Sequence, residues 1–199
     1  IAHSLLTQLV QALSINRFAL LSGPPASGKS EAGRFLANLL NWDSHVVNAH
    51  RYTTEEDLMQ RIGVRVNGKT NFVITDGPLA DALRTGKLFI LTEINLAKSG
   101  SLAFLFPLLA DIGTHFEYYD ANSGTIKPIP VHRNFRFIGT QNPTGPGRHQ
   151  LNQALNNRAI EINAPEYTDI ELVELLNSKF PELAELNKSI PVQIVNLYI

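Results

Sequence analysis

The sequence predicts an α/β fold built on a parallel sheet, and three observations support this prediction. Apolar runs of strand length alternate with segments of helical periodicity along most of the chain. A glycine-rich segment, GPPASGKS at 23–30, lies between a strand-like run and a helix-like run. The run at 88–91, Leu-Phe-Ile-Leu, is continuously apolar, as strands are when both faces of a parallel sheet are covered.

Composition sets broad limits on the class of protein. The 199 residues, 44% of them hydrophobic, suit one domain, or one domain plus part of another. A formal net charge of −1 gives no direct nucleic-acid signature, and no run of 18 apolar residues indicates a membrane segment. The absence of cysteine excludes disulfides and thiolate metal sites and fits an intracellular protein. The chain begins at Ile1 rather than Met, which indicates an excerpt of a longer protein.

Apolar spacing and cap signals define the elements of the first half. Helices are expected around residues 5–13 and 31–40, and strands at 17–22 and 45–48. Thr53, with Glu56 three residues on, indicates a capping box that opens a short helix. The buried face of the first helix is expected to contain Leu5, Leu6, Leu9, Val10 and Leu13, and that of the second Phe35, Leu36, Leu39 and Leu40.

The next predicted element is a β-hairpin at 64–74, where Asn-Gly favours a tight turn. Asp76 and Pro78 are expected to start a helix that ends at Gly86. A long helix is expected from about residue 97 to 111, and a second hairpin over 116–131 with its turn at 120–124. The last predicted strands are 135–142 and 159–162.

Composition changes after Pro165. Residues 1–164 carry 15 basic and 12 acidic side chains, whereas 165–199 carry 2 and 6. Thr168 and Glu171 have the spacing of a capping box at the start of this acidic segment. We therefore expect an α/β nucleotide-binding domain over 1–164 and the beginning of an α-helical domain over 165–199.

The segment at 23–30 has the spacing G-x-x-x-x-G-K-[ST] of a phosphate-binding loop. In such a loop backbone N–H groups surround a polyphosphate, Lys29 reaches the β/γ-phosphates and the Ser30 hydroxyl binds Mg²⁺. The dipole of the following helix also favours an anion. The alternative is a Gly/Pro turn that binds nothing. The candidate nucleotide-binding residues are Gly23, Pro24, Pro25, Ala26, Ser27, Gly28, Lys29, Ser30 and Glu31.

A second chemical signal follows the apolar run at 88–91. Glu93 ends this strand about sixty residues beyond the loop, where an NTPase keeps carboxylates that handle Mg²⁺ and water. Glu93 is the candidate to polarise the attacking water; the alternative is a solvated carboxylate at a strand end. Thr92 occupies the position where an Asp usually assists Mg²⁺, so it offers the metal a neutral oxygen.

These stretches together resemble an AAA+ ATPase module of the dynein-related, midasin-like and MoxR-like group. The matching segments are GPPASGKS, FILTEINLAKSG, FRFIGTQNPTGPGR and ALNNRAIEI, with VNAHRYTTEEDL and TDGPLADALRTGK between them. They cover about residues 15–165. The two hairpins are similar to that group's insert within helix 2 and its hairpin before the sensor strand. The resemblance implies a five-stranded parallel sheet in the order 5-1-4-3-2, an α-helical lid, and action as one member of a ring, of hexameric size.

The resemblance also implies roles for individual residues. Asn142 matches the sensor that orients the attacking water, although an Asn before Pro143 is also ordinary turn chemistry. Arg158 matches an arginine finger acting in trans on a neighbour's γ-phosphate; the alternatives are an ordinary surface charge, or Arg148 as the finger. Asn48 matches a polar residue that holds the catalytic Glu inactive. Ser30 and Thr92 are the residues expected to hold Mg²⁺.

Three functions remain open from the sequence. The first is an active ATPase that remodels a protein or ribonucleoprotein in a ring, inside the cell: in the cytoplasm, or in the nucleus if the parent is midasin-like. The second is a regulatory module that binds ATP but hydrolyses it slowly or never, because Thr92 replaces Asp and residues 165–199 contain no Arg. The third is a P-loop kinase or GTPase outside this group. A GTPase needs a base-reading Asn-Lys-x-Asp, and the segment Asn-Lys-Ser-Ile at 187–190 lacks the Asp. The six histidines have no ligand spacing, so no metal other than Mg²⁺ is expected.

Overall fold

The computed structural model describes residues 3–66, 70–98, 100–110, 115–143, 145, 147–182 and 190–198. Backbone contacts divide the chain into two compact units, residues 1–164 and residues 165–199. Within the described residues, no helix combines the length and apolar character needed to cross a membrane.

The first unit is built on five parallel strands. They are β1 (Phe18–Ser22), β2 (Ser44–Asn48), β5 (Leu88–Thr92), β8 (Arg136–Gln141) and β9 (Ile160–Asn163), in the order β2-β5-β8-β1-β9. Counted along the chain as strands one to five, this order is 5-1-4-3-2 from the opposite edge, which confirms the predicted sheet. In register, Leu20 of β1 and Leu91 of β5 both lie opposite Gly139 of the central strand β8.

Helices and two antiparallel hairpins surround the sheet. The helices are α1 (His3–Ile15), α2 (Lys29–Leu39), α3 (Glu55–Met59), α4 (Pro78–Thr85), α5 (Leu105–Ala110) and α6 (Gln153–Asn156). The hairpins are β3 (Gln60–Val66) with β4 (Thr70–Asp76), and β6 (His115–Asp120) with β7 (Thr125–Pro130). The first hairpin separates α3 from α4, and the second precedes β8. The predicted Asn-Gly turn of the first hairpin lies outside the described residues.

Alternate residues of the strands face two apolar clusters, one on each side of the sheet. Phe18, Phe89 and Phe137 lie in one cluster, where the Phe18 and Phe137 rings meet edge to face with centroids 5.0 Å apart. Ile90 and Ile138 lie in the other cluster, against α1 and α2. Both faces of the central strands are therefore covered, as their continuous apolar sequence predicts.

The buried face of α2 differs from the predicted one. Phe35, Leu39 and Leu40 are exposed, and only Leu36 of the predicted set is buried. The helix instead packs on small residues, because a Cβ at Gly33 would come within 3.0 Å of the Ile90 Cδ1. The face against the sheet contains Ala32, Gly33, Leu36 and Ala37. In α1 the prediction is confirmed for Leu5, Leu9 and Leu13, whereas Val10 is exposed.

The long helix expected over 97–111 is wrong. A 3₁₀ turn at Ile94–Leu96 is followed by hydrogen-bonded turns, such as Ala103 N to the Gly100 carbonyl at 3.0 Å, and α5 begins only at Leu105. Proline lacks an N–H and its ring collides with the carbonyl four residues earlier, so Pro107 is tolerated only in a first helical turn. Gly100 also has φ +96°, which is not helical.

The first capping box lies one residue later than predicted. Thr54 and Asp57 form it, because the Thr53 hydroxyl is already used by the backbone N–H of His50 at 2.8 Å. The helix at Pro78–Thr85 and its end at Gly86, with φ +76°, are confirmed, but its N-cap is Gly77, and Asp76 is the last residue of β4. The turn of the second hairpin at residues 121–124 is also confirmed.

One side chain joins the two hairpins. Gln60, at the start of β3, donates from its amide to the Tyr119 carbonyl and accepts from the backbone N–H of Ala121 at 3.1 Å. The Asn122 amide lies 3.4 Å from the Ile74 carbonyl of β4. Hydrogen bonds therefore connect the tip of the second hairpin to the base of the first.

The second unit contains α7 (Asp169–Lys179) and α8 (Ile190–Tyr198), which contact each other. The predicted capping box is confirmed here. The Thr168 hydroxyl accepts from the Glu171 N–H at 3.3 Å, and the Glu171 carboxylate accepts from the Thr168 N–H at 2.8 Å.

Candidate functional site: a phosphate loop beside a glutamate and an asparagine

The glycine-rich loop connects the end of β1 to the start of α2. A Cβ at Gly23 would lie 2.2 Å from the Ala164 carbonyl oxygen, so only glycine fits there. Gly28 has φ +79° and is the residue before the first turn of α2, and Ala26 also has a positive φ of 61°. The loop therefore folds back over the N-terminus of α2, the arrangement that favours binding of an anion.

Lys29 is the first residue of α2, and its side chain is buried in the loop. Its ammonium donates to the Gly23 carbonyl at 2.9 Å, to the Pro24 carbonyl, and to the Ser27 hydroxyl at 3.1 Å. Burial lowers the pKa of Lys29; the carboxylate of Glu93 acts in the opposite direction, and the charge of Arg148 lowers the pKa further. Lys29, Glu93 and Arg148 therefore share one electrostatic environment.

Ser30 and Glu31 follow on α2. Ser30 is half-buried, and Glu31 is exposed and lies 3.6 Å from the Arg34 guanidinium. Glu31 thus contributes a charge to the first helical turn, with its carboxylate directed towards Arg34.

Thr92 ends β5 directly opposite Asn48, which ends β2. The Thr92 side chain is buried, and its hydroxyl donates a hydrogen bond to the side-chain oxygen of Asn48. The structure therefore places Asn48 against Thr92, whereas the carboxylate of Glu93 contacts two other residues.

Glu93 follows β5 with left-handed backbone angles, φ 53° and ψ 41°. Such a conformation costs a non-glycine residue about 1–2 kcal/mol, and it is found preferentially at functional sites. The Glu93 N–H donates to the Thr140 hydroxyl at 3.2 Å, which anchors the turn to β8. One carboxylate oxygen accepts a hydrogen bond from the Asn142 amide, and the other lies 3.6 Å from the Arg148 Nε.

Asn142 immediately follows β8 and is buried. Its backbone carbonyl accepts from the Asn95 amide at 2.9 Å, and the Asn95 carbonyl accepts from the His149 N–H at 2.8 Å. Asn95 is 2% exposed and ties the loop after β8 to the turn after β5. Sequence reasoning missed both Asn95 and Thr140; the one available signal was a polar residue between Ile94 and Leu96.

Several buried acceptor oxygens at this edge of the sheet have no hydrogen-bond partner among the described residues. They include one carboxylate oxygen of Glu93 and the side-chain oxygens of Asn95 and Asn142. Buried acceptors in native proteins are nearly always paired. Water molecules, or the hydration shell of a ligand, could donate hydrogen bonds to these acceptor oxygens.

Arg158 lies away from these contacts. Its guanidinium donates to the Ala154 carbonyl at 2.6 Å and lies 5.9 Å from the centre of the Phe106 ring. Of the two candidate arginines, the structure brings Arg148 to Glu93 and packs Arg158 on α5 and α6.

The sheet order, the loop and the hairpins define a P-loop NTPase-like AAA fold. Comparison with protein families finds that residues 19–159 match the model of the AAA domain of the dynein-related subfamily. The chain therefore belongs to the dynein-related AAA family, and the predicted resemblance to this family is confirmed.

Three individual proteins illustrate what the chain is similar to. Midasin of Dictyostelium discoideum is 33% identical over 160 residues, which are 79% of this chain and 3% of midasin. Uncharacterized proteins of Staphylococcus saprophyticus and Staphylococcus haemolyticus are 27% and 29% identical over 183 and 163 residues. The chain spans 66% and 60% of their lengths.

A solved structure with a similar fold comes from Cytophaga hutchinsonii, where it is named a "putative ATPase". It superposes with a TM-score of 0.66 at 18% identity, over 98% of this chain and 57% of the other. At this identity the likeness concerns the fold.

Proposed function

We propose that this AAA module binds ATP with Mg²⁺ in the loop at 23–30. The loop geometry supports this, because Gly23 admits no side chain and Lys29 presents a cation at the helix N-terminus. Ser30 and Thr92 hold the Mg²⁺. Thr92 suits this role because its hydroxyl hydrogen is donated to Asn48, which leaves oxygen lone pairs for a cation. The metal supplies charge stabilisation for the phosphates.

We propose further that the module hydrolyses ATP, with Glu93 as the residue that polarises water and Asn142 as the residue that orients it. One observation carries this proposal: the Asn142 amide donates to Glu93, while one oxygen of each side chain has no hydrogen-bond partner among the described residues. These two acceptor oxygens can together receive both hydrogens of one water. A water held in this way presents its own lone pair for attack.

The module works in this proposal as one member of a ring, of hexameric size, that remodels a protein or ribonucleoprotein. Arg158 acts in trans on the nucleotide of a neighbouring module, because its guanidinium packs away from Lys29 and Glu93 of its own chain. Residues 1–164 form the nucleotide-binding domain, and residues 165–199, which contain α7 and α8, form the beginning of the lid.

The second candidate is a regulatory module that binds ATP with little turnover. Thr92 favours it, because a neutral hydroxyl replaces a carboxylate beside Mg²⁺. The transition state, where charge develops on the phosphoryl oxygens, loses more from this replacement than bound ATP does.

A binding titration and a single-turnover ATPase assay test the proposals separately. We expect Lys29→Ala to abolish detectable ATP binding and Lys179→Ala, on the exposed end of α7, to bind normally. We expect Glu93→Gln to bind ATP without cleaving it, while Glu117→Gln on the exposed face of β6 retains activity. Unchanged ATP affinity in Lys29→Ala would overturn the binding proposal. Binding without cleavage in the assembled wild type would leave the regulatory module as the function.

A further inference from the structure

The pair formed by Arg148 and Glu93 lacks a hydrogen bond. The Arg148 Nε and the Glu93 carboxylate oxygen are 3.6 Å apart, beyond the usual range of a charged hydrogen bond. Both atoms are buried and have no hydrogen-bond partner among the described residues, although each side chain is about 30% exposed as a whole. The guanidinium is thus beside the carboxylate and still has a donor to offer.

The backbone around Arg148 is fixed on the site of its own chain. The neighbouring His149 N–H donates to the Asn95 carbonyl at 2.8 Å, and the Arg148 N–H donates to the Gly145 carbonyl at 3.0 Å. Asn95 also holds the Asn142 carbonyl, so the same buried residue positions both ends of this loop. The guanidinium can change partner while its backbone stays in place.

The charges at the site favour a change of partner when an anion arrives. Lys29, Arg148 and Glu93 interact electrostatically, and together they carry two positive charges and one negative charge. A phosphate group offers more negative charge than one carboxylate and can accept two hydrogen bonds from the planar guanidinium. Arg148 is therefore better satisfied by a terminal phosphate than by Glu93 at 3.6 Å.

We propose that Arg148 serves the nucleotide site of its own chain, passing from Glu93 to the terminal phosphate of bound ATP and thereby releasing the carboxylate for water. This inference rests on the proposed ATP binding. It gives the two candidate arginines different tasks, with Arg148 acting in cis and Arg158 acting on a neighbour. Glu93 is then freed only by a nucleotide long enough to reach Arg148.

The first experiment compares the ATP and ADP affinities of residues 1–199 at a dilution where the chain is monomeric. We expect Arg148→Ala to weaken ATP binding about tenfold or more and ADP binding by less than about threefold, because only ATP carries the group that Arg148 binds. Arg148→Lys retains a point charge, so its ATP affinity should lie between those of the wild type and Arg148→Ala. Arg133→Ala, at an exposed arginine on another loop, should leave both affinities unchanged.

The second experiment measures the coupling between Arg148 and Glu93 in ATP affinity. We expect Glu93→Gln to tighten ATP binding several-fold, because Arg148 no longer has to leave a carboxylate. This gain should disappear in Glu93→Gln combined with Arg148→Ala. If the double variant keeps the gain in ATP affinity, Glu93 weakens ATP binding only by repelling the phosphates. That result would overturn the proposal that Arg148 moves from Glu93 to the terminal phosphate.

The outcomes separate this inference from the function on which it rests. A wild-type chain that binds no nucleotide would overturn both. Wild-type binding that is lost in Lys29→Ala, together with an unchanged ratio of ATP to ADP affinity in Arg148→Ala, would overturn the role of Arg148 alone. Equal losses of ATP and ADP affinity would indicate that Arg148 merely supports the loop, and they too would overturn it.

Discussion

The buried Thr92 hydroxyl donates its hydrogen to the side-chain oxygen of Asn48, across the ends of the adjacent strands β5 and β2. This contact joins two residues for which sequence reasoning proposed separate roles. It also predicts how the site responds when the missing carboxylate is restored.

Thr92→Asp should raise ATP turnover about tenfold or more, equivalent to about 1.4 kcal/mol in the barrier. The added carboxylate stabilises Mg²⁺ most strongly where charge develops, in the transition state, so ATP affinity should change only a few-fold. The Asn48 amide can rotate to donate its N–H to the new carboxylate. Single-turnover kinetics measure the effect, with Thr92→Val as the control that removes the oxygen. Turnover that stays at background in an assembled ring with Glu93 intact would favour the regulatory module.

Mixed assemblies should show that Arg158 acts in trans. Arg158→Ala subunits retain Glu93, and Glu93→Gln subunits retain Arg158, so each variant supplies what the other lacks at a shared site. We expect each variant alone to be nearly inactive and the mixture to recover measurable ATPase activity. Mixing Arg158→Ala subunits with Arg158→Lys subunits serves as the control without complementation. No recovery, when both variants fold and co-assemble, would argue against the trans role.

Gly23→Ala should destabilise the first unit by about 2–3 kcal/mol, because the new Cβ would lie 2.2 Å from the rigid Ala164 carbonyl. Gly147→Ala is the matched control: its φ is +74°, but the described residues outside its chain neighbours place no atom within 4 Å of the added carbon. That variant should cost only about 1 kcal/mol, the strain of the backbone conformation. Chemical denaturation of both variants gives the difference. Equal losses of unfolding free energy in the two variants would show that the close contact with Ala164 does not destabilise Gly23→Ala.

Gln60→Ala should loosen the second hairpin, because Gln60 holds both the Tyr119 carbonyl and the Ala121 N–H. Two lost hydrogen bonds correspond to about 1–3 kcal/mol of local stability. Hydrogen exchange at the Ala121 amide should accelerate by at least about fivefold. Gln150→Ala, at an exposed position, should leave this amide unaffected. Unchanged exchange at Ala121 in Gln60→Ala would mean that the hairpin holds its position without the link.

The second hairpin should lose stability in acid through Asp120. The ammonium of Lys127, then the hydroxyl of Ser123 and the N–H of Asn122, lower the pKa of Asp120 from 3.8 to about 2. A lowered folded-state pKa means that this contribution is complete above about pH 4 and is lost as the pH falls to about 2. The stability difference between the wild type and Asp120→Asn should therefore shrink over that window. The same experiment in Lys127→Gln should show a smaller difference, and a difference independent of pH would contradict the assignment.

The loop and the capping box of α7 could be predicted because each is encoded within a few neighbouring residues. The contacts of Glu93 could not, since Thr140 and Asn142 lie 47 and 49 residues away along the chain and reach Glu93 only because their strands lie side by side. The predicted buried face of α2 was wrong for a related reason. Apolar spacing identifies an apolar face of the helix, but the close approach of Gly33 to Ile90 decides which face packs against the sheet. For the long helix predicted over 97–111, by contrast, Pro107 was a usable local signal that the prediction did not take into account.

The hydrogen bonds of Lys29 to its own loop mean that the proposed phosphate binding exchanges one set of Lys29 hydrogen bonds for another. The ammonium already holds the carbonyls of Gly23 and Pro24 and the hydroxyl of Ser27, so a phosphate gains the cation only as those acceptors release it. The net enthalpy is then the difference between two sets of charged hydrogen bonds. In return, the side chain loses little rotational freedom when the ligand arrives, because folding has already ordered it. If the proposed ATP binding holds, only an anion that binds the ammonium more strongly than these loop acceptors displaces them, which favours phosphate over weaker anions.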